Sequence, residues 1–227
     1  MKINIVMDNK NNWYYPRAAA LIKKINKLGH KCFLYQDQKQ VSSNSDVTFY
    51  LGHEGYISKE SRAKSRYNIV VHAADLPKGK GMSPSTWQIL ENKNKITVTL
   101  FEVAPGFDTG DYYLKDSFKL NGTELIAEWQ DKLGECVDGM IIKFLQNIKK
   151  LKAIKQKGRA TVYRRRTAQD SELDINKNIK SQFNLLRVVD NERYPAFFNY
   201  KKYKYILKIY KISDKYKTLI IKRQFVE

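Results

Sequence analysis

The chain has 227 residues, of which 42% are hydrophobic and 12% aromatic; that supports one good core with a small appendage and excludes a disordered tail protein. Its 42 Lys and Arg against 23 Asp and Glu give a net charge of +19, but 32 of the basic residues are scattered lysines, which read as solvated surface before phosphate recognition and as phosphate recognition before nucleic-acid binding. No apolar run approaches the roughly 18 residues of a membrane span, and two distant cysteines, Cys32 and Cys136, fit neither a disulfide framework nor a metal knuckle, so a reducing cytoplasm is expected.

MKINIVMDN lacks a small-residue cleavage site and reads as a first strand over Ile3 to Met7. A helix is expected from Pro16 to Leu28, with apolar residues at 18, 21, 22, 25 and 28 and Gly29 as its stop. Cys32 to Tyr35 and Val47 to Leu51 read as strands, Ser58 to Lys64 as a short helix, and Asn68 to Val71 as a fourth strand. This alternation predicts an open α/β sheet, largely parallel and Rossmann-like, with ligand chemistry at the carboxyl ends of its strands. His72, Gly52-His53-Glu54 and Asp8-Asn9 all follow such ends.

Ser83 to Glu91 is expected to be helical, with Pro84 in its first turn. Ile96 to Val103 and Asp111 to Leu120 then form two strands joined as a hairpin by APGFDTG. Thr123 to Lys150 is the longest helical pattern and should close the core. Beyond it the composition shifts, giving a catalytic core over 1–160, a helical and extended segment over 161–199, and a short β-hairpin tail over 200–227. An exposed hairpin of that kind offers pairing across a two-fold axis as a homodimer.

His72 ends an apolar run and is followed by the loop LPKGKGMSP, which cannot pack as core and must lie over a cleft. Asp108, 36 positions later, sits in the turn GFDTGD between two glycines. A histidine leaving one strand and an aspartate leaving another have the makings of a base and its orienting carboxylate. The bland alternatives are a structural histidine and a turn carboxylate capping nearby amides.

The pattern His-x-x-x-Leu-Pro-x-x-x-Gly from His72, then Ser-Pro, Val-Thr and GFDTGD, resembles the 10-formyltetrahydrofolate-dependent formyltransferases. VYRRRTAQDSELDIN and LLRVVDNERYPAFF are similar to that family's post-core signatures, so the resemblance covers roughly residues 45 to 200. It implies acyl transfer from 10-formyltetrahydrofolate, with His72 and Asp108 catalytic and no metal. It also implies a pteridine near Gly52 to Tyr56 and the backbone of Val103, Ala104, Gly106 and Asp108. The compact tail and the run VVHxxDLPKGKGxSPxTWQILE look most like nucleotide-amino-sugar enzymes of pseudaminic-acid-type pathways, which serve lipopolysaccharide and capsule synthesis. The implied partner is then a UDP-linked 4-amino-4,6-dideoxy-N-acetyl hexose, with no membrane or nucleic acid. Lys78 and Lys80 would meet its diphosphate, and Trp13 and Tyr14, with Asp8 before them, its base or sugar; solvated lysines and packed aromatics are the alternatives. Methionyl-tRNA formylation and a degenerate nucleotide- or RNA-binding module remain alternative functions.

One position departs from the family pattern. The family has Asn two residues before the histidine, where this chain has Val70, which cannot donate to a developing oxyanion. Asn68 lies on the same strand face but about 6–7 Å further back. His53, after the preceding strand, is nearer and is the preferred replacement, beside an ordinary structural role.

Overall fold

The computed structural model describes residues 1–212. Its strands in chain order are Lys2–Val6 (β1), Lys31–Tyr35 (β2), Ser45–Tyr50 (β3), Ser65–His72 (β4), Lys80–Gly81 (β5), Lys95–Glu102 (β6), Tyr112–Lys119 (β7), Val162–Tyr163 (β8), Ala196–Tyr200 (β9) and Tyr203–Leu207 (β10). The helices are Ala18–Lys27 (α1), Lys59–Arg62 (α2), Pro84–Leu90 (α3), Ile126–Asn147 (α4) and Phe183–Val188 (α5). Six strands form one sheet in the order β2-β1-β3-β4-β6-β7. The first four are parallel, and β6 and β7 complete the sheet antiparallel.

The inner strands β1 and β3 are buried on both faces, as their mostly apolar runs require. Ile3, Ile5, Val47, Phe49 and Ile69 have no exposed surface and point to one face. There α4 packs, its Phe144 edge-on to the rings of Phe49 and Tyr67. α4 buries Trp129, Leu133, Val137, Met140, Ile141, Phe144 and Leu145 at helical spacing. Its first turn is fixed by the Glu128 side chain, which accepts from the Leu125 amide. α1 buries Ala18, Leu21 and Ile25 and ends before Gly29, whose φ of +79° a side chain resists.

Between these helices, the buried Asp138 carboxylate accepts from the Tyr14 hydroxyl at 2.5 Å and from Lys24 at 2.9 Å. This clamp fixes the segment between β1 and α1, and with it Asp8 and Trp13. On the other face, Val6, Val41, Tyr50 and Ile57 form an apolar cluster against which Tyr35, Val70 and Val103 pack.

The expected helix from Pro16 begins with a short 3-10 turn, Tyr15–Arg17, before α1, and the expected helix over 123–150 is shorter at both ends. The hairpin after the core starts at Ala196 and turns through Lys201, so it begins inside the segment assigned to 161–199. The remainder of the expected tail, residues 213–227, lies outside the described residues.

The chain divides into two compact units, Met1–Arg166 and Thr167 onward. The second has its own small core of Leu173, Leu186, Val189 and Ala196, with Phe183, Leu185, Phe198, Leu207 and Ile209 against it. Its β9–β10 hairpin stacks Phe198 on Tyr205 and exposes Tyr203 and Ile206. Among the described residues no helix is long and apolar enough to cross a membrane.

Candidate active site

His72 is the last residue of β4, on the sheet face that carries Val70 and the apolar cluster. Its Nε2 lies 2.8 Å from the Gly79 carbonyl and 3.8 Å from Asp108 Oδ2. Both neighbours accept, so Nε2 carries the proton and Nδ1 is the ring's acceptor. Asp108 in turn accepts from the Gly81 amide at 2.8 Å. Both side chains are mostly buried, at 10% and 16% exposed.

The meeting of these residues is not a simple convergence of strand ends. β6 runs antiparallel to β4, pairing His72 with Thr99 and Ile69 with Glu102. Its carboxyl end therefore lies three residues, about 10 Å, back along β4 from His72. The loop after Glu102 doubles back along the sheet face to deliver Asp108. That path needs one unusual conformation and one close approach. Asp108 has φ +52°, and Gly110 lies so close to the Glu102 carbonyl that a Cβ there would overlap it.

The returning loop is held from behind by the chain after α4. Gln156 donates its Nε2 to the Asp108 and Gly110 carbonyls at 3.0 and 2.7 Å, and Ile154 pairs with Tyr112. The loop from His72 is held by the same chain further on: Gly79 donates to the Thr161 hydroxyl, and β5 pairs in parallel with β8. Trp87 of α3 stacks on Tyr163 and donates to the Arg164 carbonyl. Neither Gln156 nor Thr161 stands out in the sequence. Gln156 lies in a run that reads as solvated lysines, and a two-residue bridge has no periodicity to detect.

The Gly52–Tyr56 segment follows β3. Asn12 donates to the Gly52 carbonyl, Gln38 to the Tyr56 carbonyl at 2.9 Å, and Arg165 to Glu54 at 2.7 Å. Tyr56 itself is 56% exposed, as is Phe107 of the other loop at 71%. Within the segment, the His53 side chain is only 6% exposed, with Nδ1 2.9 Å from Asp8 Oδ2 and the ring against Tyr50. Burial lowers the His53 pKa from its ordinary value, while the charges of Asp8, Asp37 and Glu54 oppose that shift.

Two other groups bear on the chemistry. Val70 contributes to the apolar cluster, and Asn68 cannot take over its role. The Asn68 side chain is buried and donates to the Arg62 and Ser65 carbonyls at 2.9 and 3.2 Å. Under the doubled-back loop, Glu102 accepts from the Asn68 amide and the Tyr113 hydroxyl. Burial pushes its pKa up to about 7 against those bonds. Lys78 is exposed, Lys80 and Trp13 are half-buried, and Val103 and Ala104 open the returning loop. Among the described residues no group of three His, Cys, Asp or Glu is arranged to hold a metal ion.

This is a clamped His–Asp pair at a loop-covered sheet face, an arrangement able to move a proton. A solved methionyl-tRNA formyltransferase from Clostridium thermocellum has the same architecture: 26% identity, TM-score 0.73, and 90% of each chain covered. The chain has the formyltransferase fold. In sequence it is similar to the methionyl-tRNA formyltransferase of Rickettsia felis, 27% identical over 121 residues, 53% of this chain and 40% of that protein. The chain thus spans about two fifths of the length of that curated relative. The fold is shared with the formyltransferase PseJ from Anoxybacillus kamchatkensis, solved with UDP-4,6-dideoxy-4-formamido-L-AltNAc and tetrahydrofolate, at 18% identity and TM-score 0.58 over 72% of this chain and 86% of that one. No family model matches the chain.

Proposed function

We propose that the protein transfers a formyl group from 10-formyltetrahydrofolate to the amine of a nucleotide-linked amino-deoxy sugar, a UDP-linked 4-amino-4,6-dideoxy-N-acetyl hexose. The observation that carries this reading is the His72–Asp108 pair, brought together by a loop that doubles back along the sheet face. The folate supplies an activated formyl carbon. The segments Gly52–Tyr56 and Val103–Asp108 would hold it, and Tyr56 and Phe107 offer exposed aromatic faces suited to a flat heterocycle.

His72 Nδ1 accepts a proton as the amine adds to the formyl carbon and returns it to the departing nitrogen. Asp108 stabilises the imidazolium that exists between those steps. Gly79 and Gly81, through a carbonyl and an amide, keep both side chains in place. Lys78 and Lys80, on the loop after His72, meet the diphosphate, and Trp13 meets the base or sugar.

Val70 withholds the oxyanion donor expected two residues before His72, a loss of about 2.7–4 kcal/mol where nothing substitutes. His53, the preferred replacement by position, is one strand over but has both ring nitrogens buried with no accessible surface, so it does not reach an oxyanion as placed. The UDP-sugar reading is supported by the ligands of PseJ. A second acceptor, methionyl-tRNA, is favoured by the names of the Rickettsia and Clostridium relatives. The exposed Tyr203 and Ile206 of the hairpin suit pairing of two copies, which sedimentation would detect.

Incubating the protein with 10-formyltetrahydrofolate and either acceptor, with mass analysis of the product, decides between them. Formylated sugar nucleotide is expected. Formylated methionyl-tRNA alone would replace the acceptor, and folate binding without turnover on either would make the chain a degenerate binding module.

A further inference from the structure

The His72–Asp108 pair has no direct bond: Nε2 and Oδ2 stand 3.8 Å apart, beyond hydrogen-bond reach. Their separation is therefore set by what holds each side chain. His72 is held by the Gly79 carbonyl, and the Gly79 amide donates to the Thr161 hydroxyl at 2.8 Å. The Asp108 carboxylate is held by the Gly81 amide, and Gly81 is paired with Tyr163 in the β5–β8 bridge. The Asp108 backbone is held by Gln156. Each of these anchors leads to one stretch of chain, residues 156–163.

Within that stretch the Gln156 side chain acts on the conformation of Asp108 itself. Its Nε2 donates to the Asp108 and Gly110 carbonyls at 3.0 and 2.7 Å, while its Oε1 is buried and makes no hydrogen bond. The amino group therefore carries the whole polar contact. The two carbonyls bracket Thr109, where the returning loop is least relaxed. Asp108 has φ +52°, which a side chain resists, and a Cβ on Gly110 would overlap the Glu102 carbonyl. Ile154 and Tyr112 exchange two backbone bonds at 2.9 Å, which fixes where along the loop Gln156 acts. An Asp108 released to an ordinary φ would swing its carboxylate off the Gly81 amide and away from His72.

We infer that Gln156 is a positioning residue for formyl transfer: by donating to the Asp108 and Gly110 carbonyls it holds Asp108 left-handed, and so sets the carboxylate at the distance from which it stabilises the His72 imidazolium. The inference rests on the formyl-transfer reading and adds to it a residue that acts through Asp108. The competing role is plain loop stability. The two part at the chemical step, because a side chain that only stabilised the loop would lower the melting temperature and leave the turnover of folded protein unchanged.

The test is a kinetic cycle on the full chain with 10-formyltetrahydrofolate and the UDP-linked 4-amino-4,6-dideoxy-N-acetyl hexose, using wild type, Gln156→Met, Asp108→Asn and the double variant. Gln156→Met keeps the length of the side chain and removes the donor. Its kcat should fall about 10- to 100-fold, with KM for both substrates within about twofold of wild type. The double variant should lose no more than Asp108→Asn alone, because Gln156 acts through that carboxylate. Additive losses overturn the inference, as does Gln156→Met with wild-type kcat. Gln156→Glu, equal in shape but without the donor when ionised, should give the same results and guards against a variant that merely unfolds. Proton NMR of the free protein reads the same contact without turnover. The Gly81 amide, bonded to the Asp108 carboxylate, should move upfield in Gln156→Met, in the direction that Asp108→Asn moves it; an unmoved Gly81 amide overturns the inference. A wild type inert on every acceptor, with that amide shifted in the variant, removes the formyl-transfer reading while the hold on Asp108 stands. An active wild type beside an unaffected Gln156→Met removes this role alone.

Discussion

At the end of β4, His72 has its Nε2 bonded to the Gly79 carbonyl, with Asp108 beyond it bonded to the Gly81 amide. At the end of β3, His53 is more deeply buried and faces Asp8, but makes no aligned hydrogen bond. The first pair is anchored on backbone groups of two long loops that are themselves tied down by residues 154–163. The second lies in a segment held by single hydrogen bonds from Asn12, Gln38 and Arg165. Buried polar groups are normally satisfied, so the contrast separates a histidine tied to a backbone carbonyl from one whose ring nitrogens are buried without an aligned partner.

The largest effect should fall on the first pair. His72→Ala should lower turnover about 10²- to 10⁴-fold with folate affinity preserved, measured by steady-state kinetics and calorimetry. Retention of wild-type turnover would remove His72 from the chemistry. Gly110→Ala should cost at least about 2 kcal/mol in denaturant unfolding, because its Cβ would overlap the Glu102 carbonyl and break the returning loop. It should also abolish the His72–Asp108 approach while leaving His53 with its NMR shift unchanged.

Glu102 probes the same loop from below. Its pKa is raised in the folded state to about 7, so the native chain binds the proton more tightly than the unfolded one. Stability should therefore be highest below the unfolded value near 4.5 and fall as pH rises toward 7, by about 1–2 kcal/mol after allowance for partial exposure. Glu102→Gln should flatten that slope in unfolding titrations. The smallest effect belongs to the second pair: Asn12→Ala should cost about 0.5–1.5 kcal/mol by loosening Gly52, with little change in the Asp108 loop.

Much of this was legible in the residues. Parallel strands buried on both faces must be unbroken apolar runs, and INIV, VTFYL and NIVV are such runs. Helical spacing located α1 and α4, and the glycine-flanked Asp108 announced a turn of unusual shape. His72 and Asp108 were visible as a pair because strand ends and loops mark a cleft. The direction of β6 was not visible, since an eight-residue strand reads the same in either sense. Gln156, Thr161 and the β5–β8 bridge act through single long-range bonds, which leave no periodic trace. The burial of both His53 nitrogens without an aligned partner was equally hidden, because sequence shows a histidine after a strand but not whether its nitrogens find partners.

The most direct measurement is a single-turnover reaction of the full chain with 10-formyltetrahydrofolate and the UDP-linked amino sugar, following tetrahydrofolate and formylated amine together. The account predicts that the two appear at the same rate and in equal amounts. Tetrahydrofolate appearing with free formate in place of formylated amine, or neither product appearing with acceptor and folate both bound, would contradict it.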